Sequence, residues 1–196
     1  MALYILKRFN WLDVFVLIIF FRISYIAIIN GLAVELFKLL GTLLAVYLSL
    51  HYYTPLADFI GNRLNLISTP KELLSLLIFI TLAISGYLAF VILRKILSRF
   101  IMLEPLPNLN KWGGLFFGIA RFILCISLIM YLFVISPSGY LRHSFNNSFS
   151  GRHLLKAAPS TYSSLWKGIV SKFMTREKFN QDVLRVQDVP EMMFQR

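Results

Sequence analysis

The sequence predicts an all-α integral membrane protein with about four transmembrane helices and a C-terminal amphipathic helix lying in the membrane interface. Two observations carry that expectation. Hydrophobic residues make up 58% of the chain and the mean hydropathy is +0.70, against roughly 45–50% apolar residues in soluble domains. The excess is gathered into long runs with few charges, and an apolar run of about 18 residues or more marks a membrane-crossing helix. The runs are apolar all round, whereas a helix on a soluble core is apolar along one stripe.

The formal charge of +11 fits lysines and arginines that flank spans and meet lipid head groups. No zinc-finger, helix-turn-helix or RNA-binding signature is present, so the bilayer rather than nucleic acid is the expected partner. The single cysteine, Cys125, stands in an apolar run and is expected to be a small buried hydrophobe.

The first span is expected over about 11–29. Asn10 can cap it, and Asp13 places an anion in the first turn. Lys7 and Arg8 ahead of an apolar run resemble a secretory leader, but Arg22 follows and no small-x-small cleavage site is found, so an uncleaved span is expected. Asn30-Gly31 is a turn signal and predicts a tight antiparallel hairpin into a second span over about 32–52, with one continuous helix as the alternative. His51-Tyr52-Tyr53 suits the bilayer interface, and residues 54–69 read as a mixed connection. A third span, about 72–93, is introduced by Thr69-Pro70-Lys71-Glu72, a capping sequence, and is stopped by Pro105 and Pro107. Asn110 reads as the cap of a fourth span, about 112–135.

Pro137-Ser138-Gly139 ends the membrane domain, 1–136. Residues 137–159 read as a polar loop, 160–175 as the amphipathic helix and 176–196 as a charged tail. In the amphipathic helix Trp166 and Phe173 fall on an apolar stripe with Lys167 and Lys172 opposite, the composition of a helix at the membrane surface. Packing of that stripe on the protein itself is the alternative.

Charges inside spans need partners. Glu35 lies one turn past Gly31. Arg22 and Arg121 enter the membrane from the same side, each at roughly 14 Å depth by helical rise, and Lys38 is one turn from Glu35. The expected arrangement is an intramembrane cluster of Glu35, Arg121, Arg22 and Lys38, serving as a clamp or as the lining of a polar path. Small residues recur every four positions at Gly41, Ala45 and Ser49, at Thr81, Ser85 and Ala89, and at Gly114 and Gly118, a spacing that lets helices approach closely in lipid. His51, His143 and His153 have no ligand-spaced neighbour, and no phosphate loop, nucleophile elbow or acid–base carboxylate pair appears. No enzyme, metal or cofactor is expected.

The block Trp11-Leu12-Asp13, Gly31, Glu35, Gly41 and the block Gly114-x-x-x-Gly118-x-x-Arg121 resemble the colicin V production protein family of bacterial membrane proteins. The resemblance covers about 10–175. It departs where the family usually has Arg before the glycine (Asn30 here), Asp at Asn110 and Gly at Phe122, and Arg22 is an added charge. The resemblance implies a multi-pass protein of the bacterial inner membrane. It further implies an association with toxin production or export and with envelope homeostasis, without a mechanism. The function expected here is a non-enzymatic accessory factor that acts by contact with an export complex or lipids, or through self-association. The alternative is a small oligomeric transporter or channel. Lys7, Arg8, Arg63, Lys71 and the basic tail favour cytoplasmic termini; Arg94, Lys95, Arg99 and Lys111 oppose this, and the reading leans to cytoplasmic termini.

Overall fold

The computed structural model describes residues 10–64, 70–97, 107–174 and 177–186. Three long helices dominate: α1 (Trp11–Arg63), α2 (Lys71–Leu97) and α3 (Pro107–Ile135). All three are long and apolar enough to cross a membrane. Shorter helices follow: α4 (Gly139–Asn146), α5 (Phe149–Leu155) and α6 (Ala157–Leu165). The last runs through a wider π-helical turn, Trp166–Val170, into Ser171–Phe173. No strand occurs among the described residues.

α1 is not one rod. Gly31 adopts φ 76° and ψ 177° inside it, a backbone region open to glycine almost alone. The contacts of α3 show what the break does. On the first arm, Trp11 lies beside Phe133, Phe20 beside Phe122, and Ala27 against Gly118, so the numbering runs opposite to that of α3. On the second arm, Glu35 meets Arg121, Thr42 lies by Cys125 and Tyr53 bonds Tyr131, so the numbering runs with α3. The two arms are therefore antiparallel, and Gly31 is a hairpin with a single non-helical residue. Continuous helix through Gly31 is excluded.

α2 lies antiparallel to the second arm. Gly41 faces Phe90, Gly86 faces the Ala45 backbone and Tyr53 packs on Phe79. Gly41, Ala45 and Ser49 sit on the buried face as expected, but Thr81, Ser85 and Ala89 are exposed. Gly86, next along the helix, makes the close contact instead. The hydroxyls of Thr81 and Ser85 bond back to Leu77 O and Leu82 O, so they satisfy themselves on an exposed, apolar helix face. The core lies between the two arms, α2 and α3, around Leu12, Leu50, Phe79, Ile126, Met130 and Tyr131.

Several expected boundaries are corrected. The second arm continues through Pro55 to Arg63, so much of 54–69 is helix. A proline in a helix removes the bond to the carbonyl four residues back, and Asn180 Nδ2 reaches both carbonyls of that turn, Leu50 O at 2.8 Å and His51 O at 3.4 Å. The polar loop of 137–159 is mostly helical. Its short helices follow Ser138 and Ser148, of which Ser148 caps with its side chain, and the serines and asparagines of this stretch make side-chain bonds rather than a coil. The stretch 177–186 of the tail packs on the bundle, with Val183 fully buried; 187–196 lie outside the described residues, as do Thr69 and Pro105. α3 begins at Pro107, and Asn110 does not cap it. Its Oδ1 accepts the Leu32 N–H at 2.7 Å, capping the second arm from across the hairpin.

Gly31→Ala is expected to cost about 1–3 kcal/mol from the backbone alone, and more because the new Cβ would run into the Asn110 carboxamide. Asn110→Ala should cost about 1 kcal/mol, as for other lost caps. Thermal melts of the purified variants in detergent check both, and an unchanged Gly31→Ala melt would contradict the hairpin geometry.

Candidate intramembrane polar site

The hairpin sets up the polar site. Gly31 turns the chain so that Asn30, at the end of the first arm, faces Glu35 in the first turn of the second. Glu35 is fully buried. Its Oε1 accepts the Asn30 carboxamide at 2.8 Å and the Lys38 ammonium at 2.8 Å. Its Oε2 lies 3.0 Å from Arg121 Nη2. That contact is a close ion pair without a directed hydrogen bond, since Glu35 Oε2 and Arg121 Nε make none among the described residues.

Arg121 reaches this point because α3 comes in very close. A Cβ at Gly114 would meet Ala27 O and the Gly31 backbone, and one at Gly118 would meet Ala27. Small residues here give backbone contact, and backbone contact brings the guanidinium one turn on to the carboxylate. Unpaired charges in the hydrocarbon are costly, and removing one member of a buried pair strands the other. The three charged groups therefore stabilise one helix arrangement over alternatives.

Arg22 is corrected. It is exposed on the outer face of the first arm, and among the described residues no hydrogen bond or ion pair reaches it. Its depth matches that of Arg121, but its side of the helix does not. Asn30 takes the place expected for it. In the sequence Asn30 reads as half of a turn signal and as a departure from the family pattern; the clue to its contact is a carboxamide five residues before a carboxylate, across a glycine.

Asp13 forms a second buried polar site. It accepts the Asn10 N–H at 3.0 Å, the Ser148 hydroxyl at 2.8 Å, and the Ser150 N–H and hydroxyl at 2.8 and 2.6 Å. One carboxylate thus caps α1 and ties it to the start of α5. The two serines lie in the stretch read as loop and carried no motif. The remaining matched positions, Gly31, Gly41, Gly114 and Gly118, are all points of tight turn or close helix contact.

A third cluster joins the C-terminal part to the second arm. His51 contacts Tyr162 Oη at 2.8 Å and Glu177 at 2.6 Å, and Tyr52 donates to Glu177 at 2.8 Å. Trp166 stacks on His51, so the first half of the apolar stripe packs on the protein. Beyond it Ile169 and Phe173 are exposed, Phe173 at 82%, beside exposed Lys167 and Lys172. The stripe is thus divided between the bundle and the surroundings. The Tyr52 hydroxyl, ahead of His51, holds the Glu177 carboxyl below its ordinary range against a partial desolvation.

A family model described as "Colicin V production protein" matches residues 12–159. That stretch contains Asp13, Gly31, Glu35, Gly41, Gly114, Gly118 and Arg121. No curated protein and no solved structure matches the chain.

Glu35→Leu or Arg121→Leu alone should lose about 3–5 kcal/mol. The double variant should lose less than the sum, with a coupling of about 1–3 kcal/mol. Detergent melts of the four proteins measure this, and additive losses would remove the pair as a clamp. Glu177, with a lowered pKa, contributes stability that is present above the ordinary glutamate range and lost as pH falls through its folded value. Its carboxylate is 33% exposed, so Glu177→Gln should weaken the docking of 177–186 by only about 1 kcal/mol. Amide exchange of that segment should rise in the variant at neutral pH, and wild type should match it only in acid.

Proposed function

The chain belongs to the colicin V production protein family, and from that premise we propose that it is a non-enzymatic accessory protein of the bacterial inner membrane. It serves toxin production or export and the upkeep of the envelope. Both arms of α1, α2 and α3 cross the bilayer, with the termini on the cytoplasmic side. It acts by contact, with an export complex, with further copies of itself or with lipid.

The observation that supports an accessory role over a conduit is the burial of Glu35. Its carboxylate is enclosed by Asn30 of the first arm, Lys38 of its own arm and Arg121 of α3, and Asn30 and Arg121 each join it to another helix. A carboxylate held in this way organises a bundle. The exposed Ile169–Phe173 end, with lysines beside it, supports a surface that lies against head groups or a partner. A buried charged path between copies, the transporter reading, makes a different demand: Glu35 would have to govern flux in protein that remains folded.

Reconstitution distinguishes the two. Purified protein in liposomes is expected to pass neither small ions nor dyes, and in a colicin V-producing strain lacking its own family member the chain should restore toxin release. Glu35→Gln should lower folded protein and toxin release in proportion. Flux that Glu35→Gln alters at unchanged yield would replace the accessory reading with the transporter reading.

A further inference from the structure

A groove runs along the outside of the polar site, between the second arm and α2. The register Gly41–Phe90 and Ala45–Gly86 brings Lys38 level with the last turns of α2, where Arg94 stands. Lys38 and Arg94 line one cavity of about 320 Å³, walled by Phe37, Phe90 and Val91. Tyr87 and Leu88 line both this cavity and a second of about 330 Å³. The second continues down the bundle between Ile80 and Ile84 of α2 and Leu128 and Ile129 of α3. The two cavities adjoin at these shared residues, the first with basic groups at its mouth and the second apolar.

The groove's dimensions and sidedness fit one class of molecule. From Arg94 to Ile80 is roughly 21 Å of helical rise, enough to run from a head-group level down a leaflet of a ~30 Å hydrocarbon core. The flanks are open sideways: Ile84 is 55% and Leu88 49% exposed, on a face of α2 that would meet acyl chains. At the mouth, Lys38 gives one contact to Glu35, and an ammonium has three donors. Arg94 is half-buried, and a guanidinium suits a phosphate in particular. Cations at the level of the head groups recognise anionic lipid.

We propose that this groove is a binding site for an anionic phospholipid, its phosphate between Lys38 and Arg94 and one acyl chain along Tyr87, Leu88 and Ile84 toward Leu128. This rests on the membrane-embedded fold and not on the accessory role, so either can fail without the other.

The test uses the full chain purified in a neutral detergent, with wild type, Arg94→Ala, Leu88→Trp and the control Lys111→Ala, an exposed cation outside the groove. Phosphatidylglycerol, phosphatidylcholine and glycerol phosphate are added in turn, and bound lipid is read by native mass spectrometry alongside the thermal midpoint. Phosphatidylglycerol should be retained and raise the midpoint in wild type and in Lys111→Ala. Retention should be about fivefold weaker or worse in Arg94→Ala, the size of one cation facing an anionic head group. Leu88→Trp, which fills the groove at an exposed position, should weaken it with the unliganded melt preserved. Equal retention of phosphatidylcholine, or equal retention by all four proteins, would overturn the proposal in favour of an unspecific lipid annulus. Protection by glycerol phosphate as strong as by the lipid would make it a small-anion site. A dimer in wild type that Leu88→Trp abolishes would give the groove to a second copy instead.

Discussion

A chain that turns back between two apolar helices through a single non-helical residue must satisfy its own backbone at the turn, because apolar surroundings offer it no partner. The hairpin at Gly31 is where this protein meets that constraint. A helix start leaves its first N–H groups without intrahelical partners, and the second arm starts within the apolar stretch. Asn110 supplies an acceptor to Leu32 N–H, and Asn30 spends its carboxamide on Glu35 rather than on the backbone. The turn is therefore held by two asparagines, one from the arm it ends and one from another helix. That second bond requires α3 to lie in contact with the turn, and Gly114, set against the Gly31 backbone, allows it. Gly118 then fixes the depth at which Arg121 meets Glu35. The order of dependence runs from the backbone turn, through the glycine contact, to the charged pair.

The same solution recurs at the opposite end. Pro55 interrupts the second arm, and a carboxamide from a distant segment, Asn180, reaches the carbonyls around it while its backbone N–H donates to the Tyr162 hydroxyl. Asp13 caps both its own helix and α5. Ser127, buried within α3, accepts the Ala158 N–H and donates to Leu155 O, bridging the junction between α5 and α6. At each of these points a polar side chain from elsewhere in the sequence meets the backbone. The bundle is thereby specified by a few long-range polar bonds set in an apolar background that packs in many ways.

What was legible in the sequence follows from this. The long helices, Gly31 and the pairing of Glu35 with Lys38 and Arg121 could be read because they depend on hydropathy, on one dihedral and on depth along a helix. Arg22 could not be placed, because depth fixes the level of a side chain and leaves its direction round the helix open; in an all-apolar run no polar face gives that direction. The small-residue stripe of α2 failed for the same reason, displaced by one position to Gly86. The short helices after residue 138 were hidden by their serines and asparagines. Those residues signal loops when they bond locally, and here Ser144, Ser148 and Ser150 bond to Trp11 and Asp13 at the far end of the chain. Asn110 was a cap, as its type implies, but of a helix almost eighty positions away.

Lys38 connects the interior of the bundle to its surface. It shares Glu35 Oε1 with Asn30 and also lines the groove toward α2. Glu35 therefore meets one cation that is buried in the bundle, Arg121, and one, Lys38, that also lines the groove. With formal charges counted, one anion serves two cations, so the cluster carries an excess of positive charge at its outer edge. In a low-dielectric setting that excess is more stable with an anion nearby, and the groove is the open approach to it. The clamp that fixes the helices and the surface that meets the bilayer thus use one lysine, and a change at either is felt at the other.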